Sequence, residues 1–308
     1  MLLLSGCGTY QQTSRSLPLN QLRALHPHYA PIKYGQIEYY QFGKGSPLLL
    51  LPGYATDVSS WNRDFLATLA QHHRIIALNN RNVGRSYIQS NRYETQDLAK
   101  DTYQLIQALH LKKPAVLGIS MGGMIAQQLA VLYPHQISAL ILINTAIAGD
   151  HSIHPSPTIQ QKMLNMPTNK LGRYVTAIQL FFPPAWRMQM AYTLAADRFK
   201  PANYKEVDPV RIMPQQQHLL LNWVNDNATA RKLKQLRMPV LILNGGADMV
   251  LPSANSTILA RTIPHAKLIR FKEGGHAMIY QYPTQIADLI NHFIAAASSR
   301  NKTKHLRH

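Results

Sequence analysis

The residues with the most chemical promise lie in Gly118-Ile119-Ser120-Met121-Gly122. A serine hydroxyl is a weak nucleophile until a base removes its proton. To meet both a base and a substrate it must stand clear of the surrounding backbone. A tight turn with serine at its apex achieves this. Side chains two positions before and after would collide there, which is why glycines flank it. Pro114 to Ile119 is a short apolar run of the kind that forms a buried strand. Met121 to Tyr133 follows a helical pattern, with Met124, Leu129 and Leu132 near one face and Pro134 just beyond. Strand, serine turn and helix, in that order, is the context of a nucleophile elbow. The helix would open with unpaired N–H groups at its positive dipole end, so the N–H of Met121 is placed to meet a developing oxyanion.

Other elements must hold this turn in place. Tyr34 to Phe42 alternates as an opening hairpin strand does, ending at Gly43-Lys44-Gly45. Leu48 to Leu51 is continuously apolar, as expected of a strand covered on both faces. Trp61 to about Gln71 reads as helical, with Phe65 and Leu69 on one face and Trp61 in the core. A strand at Arg74 to Leu78 and a helix at Glu94 to Leu109 follow, then the serine turn, then a strand at Ile137 to Asn144. Pro239 to Asn244 and Ala266 to Phe271 complete the strands, and Pro283 opens a terminal helix. Strands alternating with helices predict a mostly parallel sheet with right-handed crossovers. The rhythm breaks from about Ala148 to Leu236, where prolines separate helical patterns rich in aromatic and methionine side chains.

Composition sets outer limits. The chain has 308 residues, 46% of them hydrophobic and 15% charged. That suits one large core with room for an inserted subdomain. Mean hydropathy is −0.18, and no apolar run approaches the length of a membrane span. The net charge of +18 comes from 32 Lys and Arg against 14 Asp and Glu. Such a surface favours anionic partners such as a membrane face or acidic lipids, with a merely solvated basic surface as the simpler reading. There is no nucleic-acid motif or basic recognition helix, so nucleic acid is not an expected partner.

From about Tyr34 to about Ala297 the chain resembles the α/β-hydrolase fold superfamily, on the serine turn and its flanking strand and helix. The resemblance implies an α/β fold: a mostly parallel central sheet flanked by helices, with an inserted helical cap. The expected division is a leader and linker over 1–30, a core over 31–147 and 237–298, a cap over 148–236 and a basic tail over 299–308. Pro52-Gly53-Tyr54 falls where the family carries His-Gly. Proline replaces the histidine, Gly53 is retained, and the backbone N–H of Tyr54 would be the second oxyanion donor beside that of Met121. Asn79 to Ser86 resembles the family's Asp-x-Arg-Gly-x-Gly-x-Ser turn. Arg81, Gly84 and Ser86 match. Asn79 departs, and Asn82 stands where glycine is usual, a position asparagine tolerates in left-handed geometry. Gly245 to Pro252 resembles Gly-x-x-Asp-x-x-x-Pro and implies Asp248 as the acid that orients a histidine, although aspartate in a glycine-rich turn also serves turn geometry alone. Gly274-Gly275-His276 implies His276 as the general base, and Ser, Asp, His is the chain order of this fold.

The implied activity is a serine hydrolase that cleaves a small-molecule carboxylic ester, thioester or lactone through an acyl-enzyme. Serine as nucleophile argues against the epoxide hydrolases and dehalogenases of the superfamily, which need a carboxylate there. A cofactor-free peroxidase-like or C–C bond hydrolase shares the triad and stays open, as does a non-catalytic ligand-binding lipoprotein. No cofactor and no metal are expected, and the oligomeric state is unknown. Leu4-Ser5-Gly6-Cys7 resembles a bacterial lipobox and makes Cys7 a lipidation candidate. Only Leu2 to Leu4 precede it, short of the apolar stretch a signal peptide needs. The expectation is an envelope lipoprotein, periplasm-facing, whose true start lies upstream of Met1; the alternative is a cytoplasmic protein with a chance match.

Overall fold

The four leucines Leu48 to Leu51 are all fully buried, and they alternate between two separate cores. Leu48 and Leu50 join one face, Leu49 and Leu51 the other. Only a strand layered on both sides by helices buries every position in this way. Burying one leucine contributes about 1.5–3 kcal/mol, so this single run is a large fraction of a domain's net stability.

The computed structural model describes residues 19–90, 92–205, 207 and 209–305. Cys7 and its lipobox-like surroundings lie outside the described residues. The strands are β1 (His28–Ile32), β2 (Gly35–Phe42), β3 (Ser46–Leu51), β4 (His73–Leu78), β5 (Tyr87–Ile88), β6 (Ala115–Ile119), β7 (Ala139–Ile143), β8 (Val240–Gly245) and β9 (Lys267–Phe271). The helices of the first half are α1 (Leu19–Arg23), α2 (Arg63–Leu69), α3 (Thr95–Ala108) and α4 (Met121–Leu132). Those after β7 are α5 (Pro157–Leu164), α6 (Lys170–Phe181), α7 (Arg187–Ala196), α8 (Pro209–Trp223) and α9 (Asn227–Leu233), followed by α10 (Ala254–Thr262) and α11 (Pro283–His305). No helix among the described residues is long and apolar enough to cross a membrane.

The sheet runs β1-β2-β4-β3-β6-β7-β8-β9, with β5 paired to β2. Pairings from β4 to β9 are parallel; β1 and β2 are antiparallel additions at one edge. The chain steps from β3 to β4 on one side and then to β6 on the other. The order therefore reverses between β3 and β6, and the crevice beyond their carboxyl ends is where such sheets bind ligands. Pro52 to Tyr54 leaves β3 at that crevice, and Ser120 leaves β6. Register sets Leu51 opposite Gly118.

Residues 19–30 correct one expectation. They are not a linker: α1 buries Leu22 beside α2, and β1 buries Ala30 as it pairs with β2. A helix of one turn and a strand with a single buried position carry too short a pattern to read. The hairpin expected of Tyr34–Phe42 is made with β1. Trp61 is core, but it precedes the helix: α2 starts at Arg63, and the Asn62 side chain accepts from the Phe65 N–H at 2.9 Å. The helix α10 went unanticipated, and α11 continues to His305, past the expected end of the core at 298.

Candidate active site

Ser120 sits at φ +54°, ψ −122°, a conformation that costs an L-residue on the order of 1–3 kcal/mol and persists only where the surroundings enforce it. They do. Its N–H donates to Ile143 O at 3.0 Å; its carbonyl accepts from Thr145 Oγ1 at 2.8 Å and from the Gly123 N–H at 2.9 Å. The flanking glycines are required by close approach. A Cβ on Gly118 would lie 2.2 Å from Gly122 O, and one on Gly122 would lie 2.1 Å from Leu51 O. The elbow is pressed against its own helix and against the end of β3, which leaves the hydroxyl facing outward.

His276 Nε2 lies 3.0 Å from Ser120 Oγ, and His276 Nδ1 lies 2.8 Å from Asp248 Oδ2. The second carboxylate oxygen, Oδ1, accepts the N–H groups of Val250 at 2.8 Å and Leu251 at 2.9 Å. Asp248 therefore acts as an acceptor on both oxygens. The imidazole proton sits on Nδ1, donated to Asp248, and the Nε2 lone pair faces the serine hydroxyl. Both side chains are buried, so water does not compete for these bonds. The structure brings Ser120, His276 and Asp248, expected from three separate segments, into one chain of hydrogen bonds.

Met121 is the first residue of α4, so helix geometry leaves its N–H without an intrahelical partner. Gly53 lies against the serine: a Cβ there would be 3.4 Å from Ser120 Cβ and 3.9 Å from Ser120 Oγ. The Tyr54 phenol turns away and donates to Met213 O of α8 at 3.2 Å. Burial pushes that phenol up to about 12, so it stays a neutral donor at ordinary pH. The next peptide N–H, that of Ala55, donates to Gln216 Oε1 at 2.6 Å. The cap thus holds the loop that follows β3.

Two supporting residues escaped the sequence reading. Asn144, at the end of β7, donates through Nδ2 to Gly275 O at 2.9 Å and His276 O at 2.8 Å, and its Oδ1 accepts the Gly245 N–H at 2.7 Å. Gln281 accepts the Gly275 N–H at 2.7 Å. Together they fix the histidine loop to the strand that leads to Asp248. No local motif marks either residue; an asparagine ending a strand reads as turn chemistry. Phe181, at the end of α6, packs its ring 5.5 Å from the His276 ring, and its carbonyl accepts the Ala277 N–H at 3.3 Å. The Asn79–Ser86 turn is structural. Asn82 has φ +59°, and Arg81 holds Asp101 in a bidentate buried pair at 2.7 and 2.8 Å.

A reversing, mostly parallel sheet with a serine elbow at its switch point and helices inserted after β7 defines an α/β hydrolase. The chain belongs to the alpha/beta hydrolase fold family, whose model matches residues 46–283. It is 26% identical over 244 residues to the protein named carbamate hydrolase RutD of Azorhizobium caulinodans, covering 78% of this chain and 88% of that one. Among solved structures it superposes on an alpha/beta hydrolase fold protein from Chitinophaga pinensis with a TM-score of 0.77 at 20% identity, over 89% of this chain and 98% of that one. It superposes on the esterase RhEst1 from Rhodococcus sp. ECU1013 with a TM-score of 0.71 at 20% identity, over 89% and 99%. These structural likenesses concern the fold.

Proposed function

We propose that the protein is a serine hydrolase that cleaves a carboxylic ester, thioester or lactone by acyl transfer. The observation that carries this is the continuous bond chain Ser120 Oγ, His276 Nε2, His276 Nδ1, Asp248 Oδ2. Ser120 Oγ attacks the carbonyl carbon as His276 Nε2 takes its proton. Asp248 stabilises the imidazolium and keeps its orientation. The oxyanion is held by the N–H groups of Met121 and Tyr54. The tetrahedral species collapses, the scissile bond breaks, and His276 returns the proton to the leaving oxygen or sulfur. Water repeats the sequence on the acyl-enzyme and frees the acid. A carbamate, the class in the name of the Azorhizobium relative, presents the same carbonyl and belongs in the substrate panel.

The test is hydrolysis of p-nitrophenyl esters over a range of acyl lengths, with fluorophosphonate labelling. Turnover that collapses in Ser120→Ala and His276→Ala, with the label on Ser120, supports the reading. Labelling without ester turnover moves the substrate to a lactone, thioester, carbamate or C–C bond, or, with peroxide added, to peroxidase-like chemistry. Neither labelling nor turnover overturns acyl transfer and favours a binding protein.

A further inference from the structure

The two ends of the central sheet carry different charge patterns. The serine crevice lies beyond the carboxyl ends of the strands, and Asp57, Asp150, Asp248 and Glu273 stand in segments that leave those ends. Six segments enter the parallel strands at their amino ends. They are 43–45 before β3, 70–72 before β4, 109–114 before β6, 133–138 before β7, 234–239 before β8 and 263–266 before β9. None of the six contains an aspartate or a glutamate. They carry Lys44, Lys112, Lys113 and Arg237, and β9 itself opens on Lys267. All five of these side chains are exposed. Among the described residues none of the five joins an ion pair or has another polar partner.

Topology groups these cations. The strand order β4-β3-β6-β7-β8-β9 sets the six segments side by side, about 4.8 Å from one strand to the next. Lys113 and Ser120 bracket β6 and stand roughly 20 Å apart along it, so the basic end is the one remote from the serine. Helix dipoles explain only part of the pattern. A cation at the last turn of a helix answers the negative end of its dipole, which accounts for Arg231, Lys232 and the C-cap Lys234 of α9 and for Arg261 of α10. The effect fades beyond the last turn. Lys112 and Lys113 lie four and five residues past the end of α3, Arg237 four past α9 and Lys267 five past α10, while Lys44 follows a strand. Nothing within the fold calls for positive charge at these five positions.

We propose that this amino-terminal end of the sheet is a docking face for an anionic phospholipid bilayer, with the serine crevice turned to the aqueous side. Unpaired cations without a carboxylate among them complement a negative surface. Four of the five are lysines, hydrated point charges that suit a diffuse layer of headgroups; the arginine fork suits one phosphate held in fixed geometry. None of the large exposed apolar side chains lies in the six segments, so the contact is electrostatic and stays at headgroup level. The same absence leaves no aromatic platform on which an unpaired base could stack. The segments are loops of three to six residues, with no helix or ribbon to enter a duplex groove. A bilayer is the polyanion that such a face fits. The proposal does not depend on which bond the site cleaves.

The test uses the full chain carrying Cys7→Ser, so that lipidation contributes nothing. Flotation is measured with vesicles of phosphatidylcholine alone and of an equal mixture of phosphatidylcholine and phosphatidylglycerol. Binding to the mixed vesicles should be at least about tenfold stronger, and raising salt from about 0.1 M to about 0.5 M should remove most of it. Lys112→Gln/Lys113→Gln/Arg237→Gln/Lys267→Gln should lose about tenfold or more in partitioning. Lys162→Gln/Lys200→Gln/Lys205→Gln/Arg211→Gln removes the same charge from exposed positions of the cap and should lose less than about threefold. Lys112→Arg/Lys113→Arg/Lys267→Arg should retain binding. The substituted side chains are exposed, so every variant should melt like the parent and hydrolyse a water-soluble ester as the parent does. If the quadruple variant of the sheet end fails to fold, Lys112→Gln/Lys113→Gln is the readout, with a loss of about threefold or more expected. Failure to bind mixed vesicles, or equal binding to neutral ones, overturns the proposal. So does unchanged binding by the sheet-end variant, or an equal loss in the cap variant. Tighter retention of a mixed-sequence DNA duplex than of mixed vesicles, lost in the sheet-end variant, overturns it in favour of nucleic acid.

Discussion

Gln216 of the cap accepts the backbone N–H of Ala55 at 2.6 Å. Ala55 lies in the left-handed region, at φ +54°, and follows directly on Tyr54. The cap and the loop beside the serine are therefore one mechanical unit: α8 holds the peptide after Tyr54, and Met213 O holds the Tyr54 side chain. Gln216→Leu keeps the bulk but takes the acceptor from the half-buried Ala55 N–H, at a cost of about 1 kcal/mol. If Tyr54 donates to the oxyanion, kcat should fall about tenfold or more with a smaller change in KM. Steady-state kinetics decide; an unchanged kcat would separate Gln216 from the oxyanion loop.

The triad variants should behave as one unit. Ser120→Ala and His276→Ala should each reduce turnover about 10³-fold or more, and the double variant little further. Asp248→Asn should also be severe, because an amide NH2 facing Nδ1 favours the wrong tautomer. Single-turnover assays on a p-nitrophenyl ester measure all four variants.

Asn144→Ala should damage both fold and rate. It removes the donor of two buried carbonyls and the acceptor of the Gly245 N–H. A loss of about 2–4 kcal/mol in urea unfolding is expected. Turnover by the folded fraction should also fall, since these bonds set the His276 loop. Full stability together with full activity would show that Gln281 and packing suffice.

Gly122→Ala should be among the most harmful single-methyl changes in the chain. Its Cβ would meet Leu51 O at 2.1 Å and Pro52 O at 2.7 Å, both backbone atoms at the end of a central strand. The helix would have to move off β3. A loss of more than about 3 kcal/mol, or no soluble protein, is expected; a melting temperature near the parent's would refute the close contact.

His73, at the start of β4, is buried, and desolvation lowers its pKa from 6.5 to about 4. Its Nδ1 pairs with Ser46 Oγ at 3.1 Å. Because the folded pKa is the lower one, the unfolded chain binds more protons between these values. Stability contributed by the neutral ring is complete above about pH 6.5 and is lost as pH falls towards 4. The loss is about 2–3 kcal/mol after allowance for solvent screening. His73→Gln should flatten the pH dependence of urea unfolding in that window.

Much of this protein was legible in its sequence because local rules were sufficient. The Leu48–Leu51 run, the Gly118–Gly122 turn and the helix after it carry their own instructions in period, sterics and breakers. The alternation of strands and helices then implied the sheet. Ser120, Asp248 and His276 could be named because each follows a strand in a recognisable turn. Tertiary structure decided what depends on distance across the fold. Only it shows that His276 reaches Ser120 at 3.0 Å and that Asn144 clamps two loops, each more than 100 residues from it in the chain. Only it shows that Gln216 of the cap holds Ala55. The physical reason is common to all three. A hydrogen bond or a shared surface between distant segments is set by the packing of whole elements, and the residues that make it need only be of a suitable type, with no local pattern to announce them.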